Sequence, residues 1–191
     1  MSKTKINLNG KNILVTGSPG FIGANLVLRL LKEMTSGTIV SLDNMNDYYD
    51  PKLKEYRLEL IEKAAENAAV KHVFVKGSIA DKPLIDKLFA EYKFDVVVNL
   101  AAQAGVRYSI DHPDVYIESN IIGFYNILEA CRNNPVEHLV YASSSSVYGG
   151  NKKVPFSTED KVDNPVSLYA ATKKSNELLA HSYSKLYNIP S

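Results

Sequence analysis

Short apolar runs alternate along the whole chain with longer segments that have helical periodicity. Each run is nearly continuous in apolar and β-branched residues, which is typical of strands that are buried on both faces of a sheet. The pattern predicts five strands, at residues 12–17, 38–43, 72–77, 96–101 and 138–144.

The segments between and after these strands have the spacing of amphipathic helices. Helices are predicted at residues 22–34, 51–67, 81–92, 113–133 and 167–187. In the last one, a helical face is formed at positions i, i+3, i+4, i+7 and i+11 by Ser175, Leu178, Leu179, Ser182 and Leu186. Strictly alternating strands and helices form a parallel sheet with right-handed crossovers. We therefore expect an α/β fold, a doubly wound parallel sheet of five strands in the order 3-2-1-4-5.

Composition excludes several classes of function. The 191 residues carry 22 Lys and Arg against 21 Asp and Glu, a net charge of +1, without the basic excess of a nucleic-acid-binding protein. No apolar run is long enough to span a bilayer, and the first residues have no signal-peptide core. The lone Cys131 excludes a disulfide framework. The expectation is a cytoplasmic domain with no nucleic-acid or membrane partner and, since its four histidines are scattered, no metal.

A glycine-rich turn joins the first strand to the first helix. Its glycines are Gly17, Gly20 and Gly23, in the pattern Gly-x-x-Gly-x-x-Gly. Glycine permits the tight turn, the close approach of a pyrophosphate to the backbone and close helix–strand packing, while the helix N-terminus attracts the anion. The turn therefore predicts a dinucleotide site of the Rossmann type.

An acidic residue stands where a dinucleotide site needs one. Asp43 ends the second strand, 20 residues after Gly23. A carboxylate there would accept hydrogen bonds from the adenosine ribose and would repel a 2′-phosphate. The predicted cofactor is therefore NAD rather than NADP.

A tyrosine, a lysine and a serine-rich strand end form a candidate catalytic set. Tyr169 and Lys173 are four residues apart on one predicted helix and so share a face. A nearby ammonium favours the phenolate form of a tyrosine, which makes it a better base. The fifth strand ends in four serines, and a hydroxyl there can hydrogen-bond a substrate oxygen opposite the Tyr169 phenolate.

These motifs resemble the extended branch of the short-chain dehydrogenase/reductases that act on sugar nucleotides. Three stretches look like UDP-glucuronate 4-epimerases, including those of bacterial capsule polysaccharide biosynthesis: residues 42–50, residues 101–109 and the serine-rich strand end followed by Val147-Tyr148-Gly149. The resemblance implies NAD-dependent inversion at C4 of a UDP-sugar through a 4-keto intermediate, most simply between UDP-glucuronate and UDP-galacturonate.

The resemblance also implies which residues form the site. Ser144, Tyr169 and Lys173 would be catalytic, and Gln103, Arg107 and Ser145 would contact substrate. Tyr169 and Lys173 are also expected to contact the cofactor. The other expected cofactor contacts are Gly17, Gly20, Phe21, Ile22, Gly23, Asp43, Asn44, Ser78, Ile79, Leu100, Ala101 and Ala102. The family commonly has Asp-Ile where this chain has Ser78-Ile79, which predicts a weaker grip on adenine.

Other functions fit parts of the same pattern. One alternative is a UDP-glucose or UDP-N-acetylhexosamine 4-epimerase, and another is a non-catalytic nucleotide-binding module. The related 4,6-dehydratases carry Asp-Glu where this chain has Ser145-Ser146, and two serines are poor groups for the acid–base work of dehydration.

Members of this family continue into a substrate-binding lobe. We expect residues 1–191 to form the NAD-binding domain without that lobe, so that these residues alone do not epimerise. The full-length enzyme is expected to be a homodimer.

Overall fold

A computed structural model describes residues 7–191, so the first six residues of the predicted domain lie outside it. Five parallel strands form one sheet in the order β3-β2-β1-β4-β5, which confirms the predicted fold class. The strands are β1 (Lys11–Thr16), β2 (Gly37–Asp43), β3 (Lys71–Lys76), β4 (Val96–Asn99) and β5 (His138–Tyr141).

Helices connect the strands and follow the last one. They are α1 (Phe21–Glu33), α2 (Pro51–Ala65), α3 (Lys82–Tyr92), the short α4 (Tyr108–Asp111) and α5 (Pro113–Tyr116), α6 (Phe124–Asn133) and α7 (Leu168–Tyr187). Asp50, Asp81 and Ser167 begin α2, α3 and α7, each accepting a hydrogen bond from a first-turn amide. Within residues 7–191, no helix is long and apolar enough to cross a membrane.

Side chains alternate between the two faces of the sheet, and each face carries its own core. Ile13, Val15 and Ile39 pack against α1 and α2 on one face. Leu14 and Val40 pack on the other face against α3, α6 and α7. This alternation explains the continuous apolar runs in the sequence, because both faces of each strand are covered.

One predicted helix and two predicted strands differ from the structure. The predicted helix at 113–133 contains a π-helical stretch at Ile117–Gly123 between α5 and α6. The fourth and fifth strands end earlier than predicted, because the chain leaves the sheet at both points. After β4 the Ala101 amide donates to the Thr16 hydroxyl at 3.1 Å instead of continuing the ladder.

Candidate active site

A cleft lies along the carboxyl edge of the sheet, where β1, β2 and β4 all end. Parallel strands place these ends together, and ligands of doubly wound sheets bind there. The lining comprises Gly17, Gly20, Leu42, Asp43, Asn44, Asn46, Tyr48, Tyr49, Lys54, Gly77, Ser78, Ile79, Leu100, Ala101, Ala102, Gln103, Ala104 and Ser119. Most residues predicted to contact a cofactor therefore meet in one place.

The glycine turn forms one wall of this cleft. Gly17 has a φ of +71°, and a Cβ added there would lie 2.8 Å from the Ala101 nitrogen. A Cβ on Gly20 would lie 2.9 Å from the Gly17 carbonyl oxygen. The first amides of α1, which have no acceptor within the helix, begin at this wall. Because bare backbone faces the cleft beside a helix N-terminus, the turn fits a pyrophosphate.

Phe21 and Ile22 do not bring their side chains to the cleft. Their exposed fractions are 73% and 64%, and neither belongs to the lining. Only their backbone amides at the start of α1 remain as candidate contacts. Gly23 is buried behind the turn, where a Cβ would overlap the Gly17 carbonyl oxygen, so its role is helix–strand packing.

Asp43 is buried at the end of β2 and faces the cleft. Its Oδ1 accepts the Met45 amide at 2.7 Å and the Lys54 ammonium at 3.3 Å. Asn46 Oδ1 accepts from the same ammonium at 2.7 Å. Lys54 was not predicted as a site residue, because a lysine on a charged helix normally faces solvent and nothing in the spacing marks it as buried.

Ser78 and Ile79 follow β3 at the adenine end expected for the cleft. The Ser78 hydroxyl accepts the Ala80 amide at 3.1 Å, so it already stabilises the local turn. Ile79 is buried against Gly123 of the π-helical stretch.

The loop after β4 is held from two sides. Thr16 donates its hydroxyl hydrogen to Asn99 at 2.7 Å and accepts from the Ala101 amide. On the other side, the Asn120 side chain accepts from the Gln103 amide at 2.8 Å and donates to the Gln103 carbonyl at 3.0 Å. Gln103 is buried, and its Nε2 has no geometrically acceptable hydrogen-bond partner within residues 7–191.

Tyr116 supports the same loop from beneath. Its hydroxyl, fully buried, lies 2.7 Å from the Ala104 carbonyl oxygen and 2.5 Å from that of Gly105, and donates to them. Burial raises the pKa of Tyr116 to about 12, so the hydroxyl keeps its proton. The Tyr116 ring meets the Tyr169 ring edge-on, with centroids 6.0 Å apart.

Lys173 is buried on α7, and its ammonium donates to the Ala142 carbonyl at 3.0 Å. Ala142 directly follows β5 and stands two residues before Ser144. Burial lowers the pKa of Lys173 from 10.5 to about 8. Thr172, next to it, accepts from Asn120 Nδ2 at 3.1 Å and donates to the Tyr169 carbonyl at 2.8 Å.

The serines after β5 have different environments. Ser144 Oγ accepts the Ser146 amide at 3.2 Å and the Ser146 hydroxyl at 3.0 Å, capping a 3-10 turn at Ser145–Tyr148. Ser145 is exposed. Ser143 donates to Glu177 at 2.6 Å. The structure thus brings the Ser144 turn and the start of α7 to the same edge of the sheet.

Arg107 is exposed at the start of α4 and is not part of the cleft lining. Of the three predicted substrate residues, only Gln103 lines the cleft. Within the described residues, no three His, Cys, Asp or Glu side chains are grouped as metal ligands would be.

The chain is similar in sequence to a known protein family and to several individual relatives. Residues 14–191 match the model of a family described as GDP-mannose 4,6 dehydratase. Protein CapI of Staphylococcus aureus is 53% identical over 178 residues, which cover 93% of this chain and 51% of that protein. UDP-glucuronate 4-epimerase 4 of Arabidopsis thaliana is 50% identical over 183 residues, 95% of this chain and 40% of that protein.

A solved structure supports the same relationship. UDP-glucuronic acid 4-epimerase from Bacillus cereus, in complex with UDP-glucuronic acid and NAD, superposes with a TM-score of 0.80 at 34% identity. The similarity covers 94% of this chain and 54% of that one. The chain thus spans about half the length of the relatives that it matches, and the predicted resemblance to sugar-nucleotide epimerases is confirmed.

Proposed function

Because this chain belongs to the family described as GDP-mannose 4,6 dehydratase, we propose that it is the NAD-binding part of an enzyme that inverts C4 of a UDP-sugar. The pair of sugars in this proposal is UDP-glucuronate and UDP-galacturonate. Support comes from relatives that carry the name UDP-glucuronate 4-epimerase and from a solved relative that holds NAD.

One observation carries the catalytic part of the proposal. The Lys173 ammonium is bonded to the carbonyl of Ala142, at the strand end that leads directly into Ser144. Tyr169 precedes Lys173 by one helical turn. Burial lowers the pKa of Lys173 to about 8, and strongly shifted groups of this kind cluster at functional sites. An ammonium near a tyrosine favours the phenolate form.

The cleft residues then have separate tasks. The glycine turn and the α1 amides bind the pyrophosphate, and Asp43 binds the adenosine ribose. NAD, when bound, would take the C4 hydride and return it to the other face of the sugar. Tyr169 accepts the proton of the 4-hydroxyl and returns it, Ser144 donates a hydrogen bond to the same oxygen, and Lys173 stabilises the phenolate. Ser144 accepts in both of its hydrogen bonds with Ser146, so its own hydroxyl hydrogen remains available for that oxygen.

Epimerisation fits this chain better than the dehydration that the family description names. Dehydration removes water across C5 and C6 and needs a general acid and a general base there. Ser145 and Ser146 occupy those positions, and a hydroxyl is a poor donor and a poor acceptor of protons at neutral pH. A non-catalytic module has no use for a buried Lys173 one turn from Tyr169.

The test is Tyr169→Phe in the full-length enzyme. We expect turnover of UDP-glucuronate to fall by at least about a thousandfold while the Kd for NAD changes by less than about threefold, because losing the hydroxyl affects proton transfer far more than cofactor contact. Sugar nucleotides are separated chromatographically, and NAD binding is measured by calorimetry. UDP-glucose is offered to the wild-type enzyme in parallel, and faster turnover of UDP-glucose than of UDP-glucuronate would identify it as the substrate. Near-normal turnover by Tyr169→Phe would mean that another group is the base.

Three expectations stay predictions. They are a homodimer of the full-length protein, a cytoplasmic location and a role in capsule polysaccharide biosynthesis. Exposed apolar side chains on α6 and α7, among them Tyr125, Leu178 and Leu186, are compatible with a second copy of the chain.

A further inference from the structure

Lys54 is built into the ribose end of the cleft. Only 5% of this residue is exposed, although it lies on α2 among charged and exposed neighbours. Its ammonium is held by Asn46 at 2.7 Å and Asp43 at 3.3 Å, and lies 5.3 Å from the centroid of the Tyr49 ring. A lysine is rarely buried unless it is paired, so this ammonium and the Asp43 carboxylate form one electrostatic unit.

The two oxygens of the Asp43 carboxylate have different numbers of hydrogen-bond partners. The hydrogen bonds that residues 7–191 supply to it, from the Met45 amide and the Lys54 ammonium, both go to Oδ1. Oδ2 is therefore the oxygen left for a ligand. A carboxylate at this position selects the free ribose of NAD, whereas a nearby cation accommodates the 2′-phosphate of NADP. Here the Asp43 carboxylate and the Lys54 ammonium, which reaches over from α2, both lie at the end of β2.

We propose that Lys54 is a specificity-determining residue that sets how strongly the cleft prefers NAD to NADP. The inference rests on the proposed NAD-binding function and extends it. Charges in a poorly solvated cleft interact more strongly than in water, so the ammonium offsets much of the repulsion that Asp43 alone would exert on a phosphate. Asp43 in turn neutralises a cation that would otherwise attract one. The preference therefore depends on the pair rather than on the carboxylate alone.

The effects of the two charges on this preference are separated by comparing four forms of the chain: wild type, Asp43→Asn, Lys54→Met and the double variant. Calorimetry gives the Kd of each for NAD and NADP, and the quantity compared is the ratio of the two. We expect wild type to prefer NAD and Lys54→Met to increase that preference about tenfold, because the carboxylate loses its counter-charge. Asp43→Asn should shift the ratio towards NADP by about tenfold or more, and the double variant should lose most of that shift.

The control is Lys63→Met, which removes the same charge from an exposed position on the same helix. It should leave the ratio within about twofold of wild type. Thermal unfolding of every form shows whether it is folded. Lys54→Met leaves a buried carboxylate without its counter-charge, whereas the ammonium in Asp43→Asn keeps its hydrogen bond to Asn46 and the double variant carries neither charge. The comparison of Asp43→Asn with the double variant therefore holds even if Lys54→Met does not fold.

A lysine that only stabilises the fold, or that binds a part common to both cofactors, would change both Kd values equally. The same ratio in Asp43→Asn and in the double variant would therefore overturn the inference while leaving the proposed function intact. A wild-type chain that binds neither dinucleotide would contradict the proposed function and this inference together.

Discussion

Lys54 and Lys173 are both buried, but they have different partners. Lys54 has a carboxylate beside it, whereas the recorded hydrogen bond of Lys173 goes to a neutral carbonyl, that of Ala142. Without a counter-charge, burial disfavours the ammonium of Lys173 and lowers its pKa to about 8. A charged Lys173 at neutral pH therefore costs the free protein stability, as is common for a group whose position serves a ligand.

This cost predicts a pH dependence of stability. In the unfolded chain Lys173 has its ordinary pKa of 10.5, so between about pH 8 and 10.5 the unfolded state binds more protons than the folded state. The contribution of Lys173 to the free energy of unfolding therefore rises with pH in this window. From about pH 7 to about pH 9.5, we expect wild type to gain about 2 kcal/mol relative to Lys173→Met, measured by urea denaturation.

Lys185→Met, which removes a lysine in the last turn of the same helix, is the matched control for this titration. Its free energy of unfolding should follow that of wild type across the same range. A constant difference between wild type and Lys173→Met would show that Lys173 is not desolvated.

The π-helical stretch Ile117–Gly123 links the loop after β4 to α7. Asn120 lies within it and is 2% exposed, and its side chain holds both backbone groups of Gln103 and bonds to Thr172 on α7. The Asn120 carbonyl also accepts from Asn176 at 2.6 Å. Such π-helical turns often occur at functional sites. Here the turn connects the loop after β4 to the helix that carries Tyr169 and Lys173.

Asn120→Ala should therefore destabilise the protein by about 3 kcal/mol, because the Gln103 amide and carbonyl lose their partners while buried. Urea denaturation measures the free energy of unfolding. Asn67→Ala removes an exposed asparagine and should change it by less than about 0.5 kcal/mol. If Asn120→Ala were as mild as this control, other groups or water would have to satisfy Gln103.

The glycine turn supplies a second prediction at this scale. Gly20 has φ −68° and ψ 170°, which alanine adopts without backbone strain, so the effect of Gly20→Ala comes from an added Cβ that presses on the turn itself. That Cβ would lie 2.9 Å from the Gly17 carbonyl oxygen on the wall of the cleft. We expect NAD affinity, measured by calorimetry, to fall at least about tenfold.

Gly150→Ala is the matched control for Gly20→Ala, since a Cβ there meets nothing within 4 Å. Its Kd for NAD should equal that of wild type. Unchanged affinity in Gly20→Ala would show that the pyrophosphate does not approach this wall.

The whole chain corresponds to only part of the length of its relatives. It covers about half the length of Protein CapI of Staphylococcus aureus. Within it, the glycine turn and Asp43 line one cleft at the sheet edge, whereas Ser144, Tyr169, Lys173 and the predicted substrate residue Arg107 are not among its lining residues. The described residues thus assemble a cofactor cleft more completely than a sugar site.

We therefore expect the 191 residues, incubated with NAD and UDP-glucuronate, to form no UDP-galacturonate at a useful rate. Epimerisation requires the sugar to be held close to the cofactor and its keto form to turn without escaping. Chromatography of the sugar nucleotides measures the product, with a longer UDP-glucuronate 4-epimerase relative as the positive control. Steady accumulation of UDP-galacturonate would show that these residues suffice for the reaction.

The sequence by itself determined the strand–helix alternation, the strand order and the positions of the glycine turn, Asp43 and the Tyr169–Lys173 pair. Continuous apolar runs reflect burial on both sheet faces, and glycine spacing reflects a local turn. Both are properties of neighbouring residues, so they can be read along the chain. Leu100, Ala101 and Ala102 were likewise predictable, because a strand end is a local feature.

Only the tertiary structure decided which polar groups are buried. The face of α7 expected from spacing included Leu178 and Leu186, yet these are 58% and 69% exposed, while the buried face carries Thr172, Lys173 and Asn176. Lys54 was also beyond the pattern. A buried polar side chain is stable only if a partner from a distant segment meets it, and the partners here stand 8 to 56 residues away. Periodicity reports hydrophobicity along one element, whereas this pairing depends on how separate elements meet.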